Sequence, residues 1–386
     1  MRVVVIGAGI VGVSCALAAA RAGCEVVLLE RGQVASGTTS RGEGNVLVSD
    51  KPPGPELELA LVSRRRWAAW GDELGTDALE LDAKGGLVVA TEPTALGPLR
   101  ELAERQRAAG VQVEEVDTPR TVEPHLADDL PGAFLYPQDA QVQPVLAAAA
   151  ILAEARRRGV DYRPATEVVD ARRGPDGRIR AVTCSDGTVL ATDAVVNAAG
   201  TWGGRVGSLL GADVPVLPRK GFILVTEPAP TLVQRKVYSA DYVANVAAST
   251  EGLETSAVVE STRAGTILIG ASRERVGFDR SMQPATVAWL AAQAVRLFPV
   301  LDRVQLMRVY RGFRPYCPDH LPVIGPDPRV PGVVHACGHE GAGIGLAPAT
   351  AELVAAHLTG ADPRESVGVD PAPFLPDRFL TGAGVA

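Results

Sequence analysis

The sequence is poor in several residue types whose scarcity excludes whole classes of protein. It has 5 cysteines and 5 histidines among 386 residues, and no two cysteines have the spacing of an iron–sulfur or zinc site. The histidines are scattered as well, so we predict no metal site. No apolar run reaches the roughly 18 residues of a membrane-spanning helix. The net charge of −7 disfavours a nucleic-acid partner. The start does not resemble a signal peptide, so we expect a cytoplasmic location.

The first thirty residues carry the most informative pattern. An apolar run at 2–6 leads into Gly7-Ala-Gly9-Ile-Val-Gly12, then a small-residue stretch, then a second apolar run that ends on Glu30. This order and spacing is typical of a dinucleotide-binding βαβ unit. Gly7 permits the tight turn, Gly9 lets the backbone approach a pyrophosphate, and Gly12 lets helix and strand pack closely. Glu30 can accept hydrogen bonds from a ribose.

Beyond this unit, the regular alternation of strands and helices breaks down, which favours a flavoprotein over a nicotinamide enzyme. Three strands at 161–168, 179–184 and 189–191 are predicted to form a β-meander. Further strands are predicted at 87–90, 192–200, 216–226, 256–259, 266–272, 304–313 and 333–336. Helices are predicted at 57–74, 96–109, 145–158, 285–298 and 346–358, the last with Pro348 in its first turn.

These elements predict an α/β protein of two domains. The first is a discontinuous Rossmann-like cofactor domain made of residues 1–85, 143–215 and 320–386. The second is an α+β substrate domain with a mainly antiparallel sheet, made of residues 86–142 and 216–319.

Four ordered motifs resemble the D-amino-acid oxidase superfamily of FAD-dependent amine oxidoreductases. They are residues 7–30, Ser36-Gly-Thr-Thr-Ser-Arg-Gly-Glu-Gly-Asn45, Val195-Val-Asn-Ala-Ala-Gly-Thr-Trp202, and Gly312-Phe-Arg-Pro315 with the glycine-rich turn 338–345. The resemblance implies bound FAD and removal of hydride from the carbon beside the amine of a small amino acid or secondary amine, which gives an imine. D-amino acids, proline, hydroxyproline and opines are the substrate types implied.

Segments 41–45 and 339–343 are similar to a narrower subgroup, the flavin subunits of hydroxyproline or proline dehydrogenase, opine oxidase and hydrogen cyanide synthase. This likeness implies a hetero-oligomer in which a second subunit carries another redox centre. Two alternatives stay open. One is a self-contained amine oxidase of the glycine or sarcosine oxidase type that makes hydrogen peroxide. The other is a non-catalytic subunit that holds flavin and relays electrons.

Three catalytic candidates follow from the resemblance. Arg314 matches the family's arginine that holds the substrate carboxylate, although it could instead pin the turn at Pro315. Glu43 could pair with Arg41 or approach a substrate amine. Tyr238 and Tyr242 fall where the family often places a lid tyrosine, and Tyr242 is the third catalytic candidate.

Apart from Val168, the predicted cofactor contacts lie in or beside the four glycine-rich motifs. No cysteine stands at the position that links FAD covalently in some relatives, so non-covalent FAD is expected. A helix beginning near Gly345 would direct its N–H groups at the flavin. The predicted contacts are Gly7, Gly9, Ile10, Val11, Gly12, Glu30, Arg31, Thr38, Thr39, Ser40, Arg41, Gly42, Gly44, Asn45, Val168, Ala198, Gly200, Trp202, Gly312, Arg314, His339, Glu340, Gly341, Ala342, Gly343 and Ile344.

Overall fold

The computed structural model describes residues 1–230, 232–241 and 251–380. The strands are β1 (Arg2–Ile6), β2 (Glu25–Leu29), β3 (Asn45–Val46), β4 (Gly86–Ala90), β5 (Glu114–Val116), β6 (Gly132–Tyr136), β7 (Ala140–Gln141), β8 (Asp161–Arg163), β9 (Val168–Arg173), β10 (Ile179–Cys184), β11 (Val189–Ala191), β12 (Ala194–Asn197), β13 (Leu217–Pro228), β14 (Lys236–Ser239), β15 (Glu254–Ser261), β16 (Thr266–Arg273), β17 (Leu306–Tyr316), β18 (Val323–Pro326) and β19 (Val333–Cys337).

The α-helices are α1 (Ile10–Arg21), α2 (Pro55–Leu74), α3 (Thr76–Leu79), α4 (Leu96–Ala108), α5 (Pro144–Arg157), α6 (Gly203–Leu210), α7 (Pro284–Leu297), α8 (Gly343–Thr359) and α9 (Pro363–Ser366). Short 3₁₀ turns lie at Thr39–Arg41, Pro93–Ala95, Pro119–Thr121, Gly200–Trp202, Pro299–Arg303, Ala372–Phe374 and Pro376–Phe379. Within the described ranges, no helix combines the length and the apolar character needed to cross a membrane.

A six-stranded sheet in the order β18-β19-β12-β1-β2-β8 forms the Rossmann-like half. Its neighbouring strands are parallel except β18 and β19, which are antiparallel. The central strands β1, β2 and β12 are mostly apolar and buried because both faces of the sheet are covered. Val3 and Val5 pack into the core formed with α1, α2, α5 and α8, whereas Val4 and Ile6 pack against the three-stranded meander β9-β10-β11.

An eight-stranded sheet in the order β17-β13-β16-β15-β14-β4-β6-β5 forms the second half. All neighbours are antiparallel except β4 and β14. Helix α7 covers one face through Leu290, Ala294 and Leu297, while Tyr238 and Val258 on the other face join the core of the first half. The α/β fold with a mainly antiparallel second sheet is therefore as predicted, whereas the residue boundaries of the two domains stay a prediction.

The predicted strand at 161–168 is wrong, and so is its place in the meander. Its first part, β8, pairs with β2 in the parallel sheet, and only Val168 belongs to the meander strand β9. The run is broken at Pro164, which has no N–H, and at Ala165, whose φ is +50°. The chain therefore changes direction between the two halves of this predicted strand.

The last long helix begins three residues earlier than predicted, at Gly343, so Pro348 lies in its second turn. Proline has no N–H to donate to the Ile344 carbonyl oxygen, which would otherwise lack its helical partner. Helix α2 supplies the replacement: the Trp67 indole N–H donates to Ile344 O at 3.0 Å. Ser63 Oγ donates to Gly345 O at 2.6 Å and accepts from the Ala349 N–H at 3.3 Å. Two buried side chains of α2 thus stabilise the start of α8.

Replacing Trp67 with phenylalanine should destabilise the protein by about 1–3 kcal/mol, because a buried carbonyl group at Ile344 loses its donor. Trp289→Phe is the matched control, since Trp289 is 41% exposed, and its effect should stay within about 0.5 kcal/mol. Thermal unfolding of both FAD-loaded variants, followed by circular dichroism, measures the difference. Equal unfolding temperatures would contradict the role given to Trp67.

Candidate active site

One cavity lies between the two sheets and gathers residues from all four motifs. It extends from the carboxyl ends of β1 and β2, beside Glu30, to β13 and β17, beside Arg314. The predicted cofactor contacts that line it are Gly7, Gly9, Ile10, Val11, Glu30, Arg31, Thr38, Thr39, Arg41, Gly42, Gly44, Asn45, Val168, Ala198, Gly200, Trp202, Gly312, Arg314, His339, Glu340, Gly341, Gly343 and Ile344. The predicted catalytic candidate Glu43 lines it too.

Three predicted contacts do not line this cavity. Gly12 lies behind the first turn, where a Cβ would be 1.8 Å from the Gly7 carbonyl oxygen. The Ser40 hydroxyl donates to Gly37 O, and the Ala342 N–H donates to His339 O, so both serve their own turns. Gly12 thus makes the close approach expected of it, and contact of these three residues with the cofactor stays a prediction.

The first glycine turn leaves the backbone bare where α1 begins. Gly7 has a φ of +105°, and a Cβ there would lie 2.6 Å from the Ala198 carbonyl oxygen of the neighbouring strand end. The Ile10 N–H at the start of α1 donates to Thr39 Oγ1 at 3.0 Å. Glu30 is fixed at the end of β2 because its carboxylate accepts from the N–H groups of Ala8, at 2.9 Å, and Gly32, at 2.8 Å.

The second turn places an aromatic ring beside the same cavity. The Arg31 guanidinium lies 3.8 Å above the centre of the Trp202 ring, and this ring stacks on Phe278 at 5.5 Å. Thr201 Oγ1 donates to Phe313 O at 2.6 Å, and Thr38 Oγ1 donates to the same oxygen at 2.8 Å. The Phe313 carbonyl oxygen therefore joins strand β17 to the turn at 200–202 and to the loop at 36–45.

Arg314 projects from β17 into the cavity and is held there by the opposite strands. Its Nη1 donates to the Ser272 carbonyl oxygen at 2.8 Å. Gly221 on β13 leaves the room this requires, because a Cβ there would lie 2.3 Å from Arg314 Nη1. The absence of a side chain at Gly221 thus sets where the guanidinium lies.

The glycine-rich turn before α8 carries two ionisable residues with opposite environments. Burial lowers the pKa of His339 to about 3, so its ring is neutral, and Nε2 lies 3.0 Å from Thr350 Oγ1. For Glu340, burial acts to raise the pKa, but a hydrogen bond with His320 and the charges of Arg273 and Arg219 lower it to about 2. Arg219 Nη1 donates to Glu340 Oε1 at 2.6 Å. These contacts give both residues a role in stabilising the glycine-rich turn.

Glu43 does not form the ion pair with Arg41 that was one of the two alternatives expected for it. Its Oε2 accepts from Lys236 Nζ at 3.2 Å and from Asn45 Nδ2 at 3.0 Å, so its ionic partner is Lys236 and not Arg41. The side chain is 6% exposed. Burial acts to raise the pKa of Glu43, but Lys236, Asn45 and the charge of Arg314 together hold it below its ordinary value.

The two tyrosines expected at a lid have different outcomes. Tyr238 is fully buried in the core, and its hydroxyl donates to Ser49 Oγ, so a lid role for it is wrong. Tyr242 lies outside the described residues.

Sequence reasoning missed Gly221 and Lys236 as neighbours of the site. A glycine inside a predicted strand was a usable signal, because it often marks a close approach of another group. Lys236 carries no such signal, since its partner Glu43 lies 193 residues away in the chain. Among the described residues, no group of three or more metal-ligating side chains is assembled.

A family model described as FAD dependent oxidoreductase, abbreviated DAO, matches residues 2–357. The chain belongs to the DAO family. It is 30% identical over 393 residues to the glycine oxidase of Geobacillus kaustophilus, across 99% of this chain and 98% of that protein. It is 35% identical over 262 residues to the hydrogen cyanide synthase subunit HcnC of Pseudomonas aeruginosa, a match that spans 67% of this chain but only 58% of that protein.

Solved structures of DAO-family enzymes share the fold. The crystal structure of glycine oxidase from Geobacillus kaustophilus matches with a TM-score of 0.86 at 27% identity and covers 100% of both chains. The L-proline dehydrogenase from P. horikoshii gives a TM-score of 0.86 at 23% identity, over 98% of this chain and 97% of that one, which supports the fold alone. The predicted family, fold class and FAD-dependent redox activity are thus confirmed.

The residues of the cavity fit the FAD that the DAO family binds. The bare backbone at Gly7 and Gly9 and the N-terminus of α1 suit a pyrophosphate, and Glu30 suits a ribose. The N-terminus of α8 faces the same cavity, where its free N–H groups would favour negative charge. All five cysteines lie within the described ranges, and none of them lines the cavity.

Denaturing the yellow protein with acid should therefore release its flavin into the supernatant, where chromatography should identify FAD. The expected yield is close to one FAD per chain, because no thiol is near enough to form a covalent link. Flavin that stayed with the precipitate would contradict non-covalent binding. A nicotinamide in place of flavin would contradict the cofactor assignment itself.

Proposed function

We propose that the protein oxidises the α-carbon–nitrogen bond of a small amino acid or secondary amine. Bound FAD supplies the hydride acceptor, and the imine product can then be hydrolysed by water. The observation that carries this proposal is the pair of opposite charges in one cavity, Arg314 and Glu43, beside the glycine turns suited to FAD. An α-amino acid carries the complementary pair, an ammonium and a carboxylate, on one carbon atom.

Arg314 is proposed to hold the substrate carboxylate. A guanidinium presents parallel N–H donors that match a carboxylate bidentately, and it keeps its charge at any physiological pH. The bond to Ser272 O and the space at Gly221 fix its direction before substrate arrives. Such preorganisation places the α-carbon repeatedly in one position, which is what hydride removal requires.

Glu43 is proposed to face the substrate nitrogen. Its carboxylate is buried and is held anionic by Lys236, Asn45 and Arg314. An ammonium or protonated secondary amine would gain a charge-assisted hydrogen bond there. The substrate then lies between a cation and an anion that are both fixed by strands or short loops.

A screen of amino acids and opines tests the proposal. The yellow protein is mixed anaerobically with each compound, and the flavin absorbance is followed. We expect at least one small amino acid or secondary amine to bleach the flavin. If no compound with both an amine and a carboxylate does so, the proposed function is wrong, and the alternative of a flavin-holding relay subunit gains support.

Arg314→Met should lower kcat/KM for that substrate by about 10²–10⁴-fold, because the bidentate contact and the alignment it gives are both lost. FAD content should be unchanged. Arg311→Met is the matched control, since Arg311 lies on the same strand but does not line the cavity. Normal turnover and normal KM in Arg314→Met would mean that this arginine only supports the turn at Pro315.

We propose that the chain passes its electrons to a second redox subunit of a hetero-oligomer. Hydrogen cyanide synthase HcnC is named as a subunit, and the likeness in segments 41–45 and 339–343 extends to such enzymes. The similarity to glycine oxidase favours the competing reading, a self-contained oxidase that makes hydrogen peroxide. A cytoplasmic location also stays a prediction.

Expression of the chain alone separates these two alternatives. With the heteromer, the lone protein should reduce its flavin with substrate but turn over slowly in air, because the natural acceptor is missing. Oxygen consumption and hydrogen peroxide are measured under the same conditions. Stoichiometric peroxide at rates typical of enzymes, about 1–10³ s⁻¹, would contradict the need for a partner.

A further inference from the structure

A buried group of charges lies directly behind Glu43. Lys236 Nζ on β14 is 3.2 Å from Glu43 Oε2, 3.6 Å from Glu260 Oε2 on β15, and 2.6 Å from Asn45 Oδ1. The side chains of Glu43, Lys236 and Glu260 are 6%, 2% and 0% exposed. With both carboxylates ionised, these three residues, here called the charge cluster, hold one more negative than positive charge away from water.

The two carboxylates of the charge cluster are incompletely satisfied within the described residues. Glu43 Oε1 is buried without a hydrogen-bond partner, and so are both oxygens of Glu260. Gly270 makes room for Glu43 Oε1, since a Cβ there would lie 2.5 Å from it. A buried acceptor without a donor is energetically unfavourable, so this arrangement suits a cluster that receives a proton during function.

Other ionisable groups surround the charge cluster on each side. Arg314 acts on Glu43 from the cavity, and the Tyr310 hydroxyl, on the same strand, has its pKa raised by burial and by the charges of Glu43 and Glu260. Lys84 acts on Glu260 from the opposite side and donates to Gln141 Oε1 and Ser261 O. Among these neighbours, Lys84 and Arg314 are the cations and Tyr310 stays neutral.

We propose that the charge cluster accepts the proton that the substrate ammonium loses before oxidation, with Glu43 as the group that touches the amine and Glu260 as the final acceptor. This inference rests on the proposed function and deepens it, since it selects substrates whose nitrogen arrives protonated. Lys236 and Glu260 are positioning residues, because they act on the substrate only through Glu43.

The proton balance of this step is simple. An N–H bond of the substrate ammonium breaks and an O–H bond forms on Glu43. Lys236 then gives a proton to Glu260 and recovers the one on Glu43. The net change is a neutral amine with its lone pair available and a neutral Glu260, while Glu43 and Lys236 return to their starting charges. No electrons move in this step.

The environment of Glu260 agrees with a proton acceptor that works near neutral pH. Burial raises the pKa of Glu260 to about 7, although the charges of Lys236 and Lys84 act to lower it. A carboxyl group can accept a proton only when it is ionised. Flavin reduction by substrate should therefore be slow below about pH 7 and rise to a plateau above it.

Infrared spectroscopy of the FAD-loaded protein without substrate tests the cluster directly. A buried carboxylic-acid C=O band should disappear as the pH rises through neutrality. Burial also raises the pKa of Glu56 to about 7 and that of Asp139 to about 6, so these groups contribute to the same band. The band should therefore lose one carboxyl group's share of its amplitude in Glu260→Gln and keep it in Glu123→Gln, a matched control whose side chain is also fully buried. Glu123 accepts from the Gln234 and Arg235 N–H groups and does not line the cavity. An identical titrating band in Glu260→Gln overturns the proposal.

The pH profile of anaerobic flavin reduction, with a substrate found in the screen, tests the link to the amine. In Glu260→Gln the proton must leave to water, so reduction at neutral pH should fall by about 10²-fold. Its inflection should move upward by about one pH unit or more, toward the pKa of the free amine. Glu260→Asp, which keeps an acid, should restore most of the rate, and FAD content should be equal in all variants.

The outcomes separate this inference from the function on which it rests. If no amino acid reduces the flavin, the proposed function fails and this inference fails with it. If substrate reduces the flavin but Glu260→Gln keeps the wild-type pH profile, the function stands and the proton role of the charge cluster is wrong. Should Glu260→Gln lose its FAD, Glu260→Asp decides. A kinetic inflection unchanged from wild type, in a variant whose infrared band has lost one titrating carboxyl group, overturns the proposal.

Discussion

The carbonyl oxygen of Phe313 is the atom on which the geometry of the cavity depends. It accepts hydrogen bonds from Thr38 and Thr201, two hydroxyls that are themselves 2.9 Å apart. These residues come from the loop at 36–45, from the turn after β12 and from β17, so one acceptor joins segments of both sheets. Because Phe313 is followed directly by Arg314, the same contact fixes where the guanidinium begins. A carbonyl with two lone pairs can accept two donors at little cost, which makes it a suitable junction.

The carboxylates around this junction show how burial and pairing divide one residue type into different roles. Glu340 is held anionic by Arg219, Arg273 and His320, and it ties the glycine-rich turn to β13. Glu43 is also held anionic, but its Oε1 has no hydrogen-bond donor among the residues that the structure describes. Glu260 sits deeper, and burial outweighs its two lysine neighbours. Groups of one chemical type whose environments move their pKa values apart are the usual basis for acid and base roles.

Local signals allowed much of the fold to be predicted, whereas contacts between distant segments could not be. The turn at Gly7 follows from covalent geometry within a few residues, and so do the strands of the first βαβ unit. The break at Ala165 inside the predicted strand depends on how β8 and β9 join different sheets, which periodicity cannot report. The start of α8 was missed for a related reason: Pro348 is tolerated in the second turn only because Trp67 and Ser63, almost three hundred residues earlier, take over the hydrogen bonds.

The same reasoning explains why the cofactor was easier to predict than the substrate. The segments suited to FAD are backbone turns, and glycines that stand close together in the sequence mark such turns. The proposed substrate contacts are two single side chains, Arg314 on β17 and Glu43 in the loop before β3. Their hydrogen-bond partners, Ser272 and Lys236, lie 42 and 193 residues away along the chain. Under the proposed function, substrate selectivity depends on how these distant partners hold the two charges.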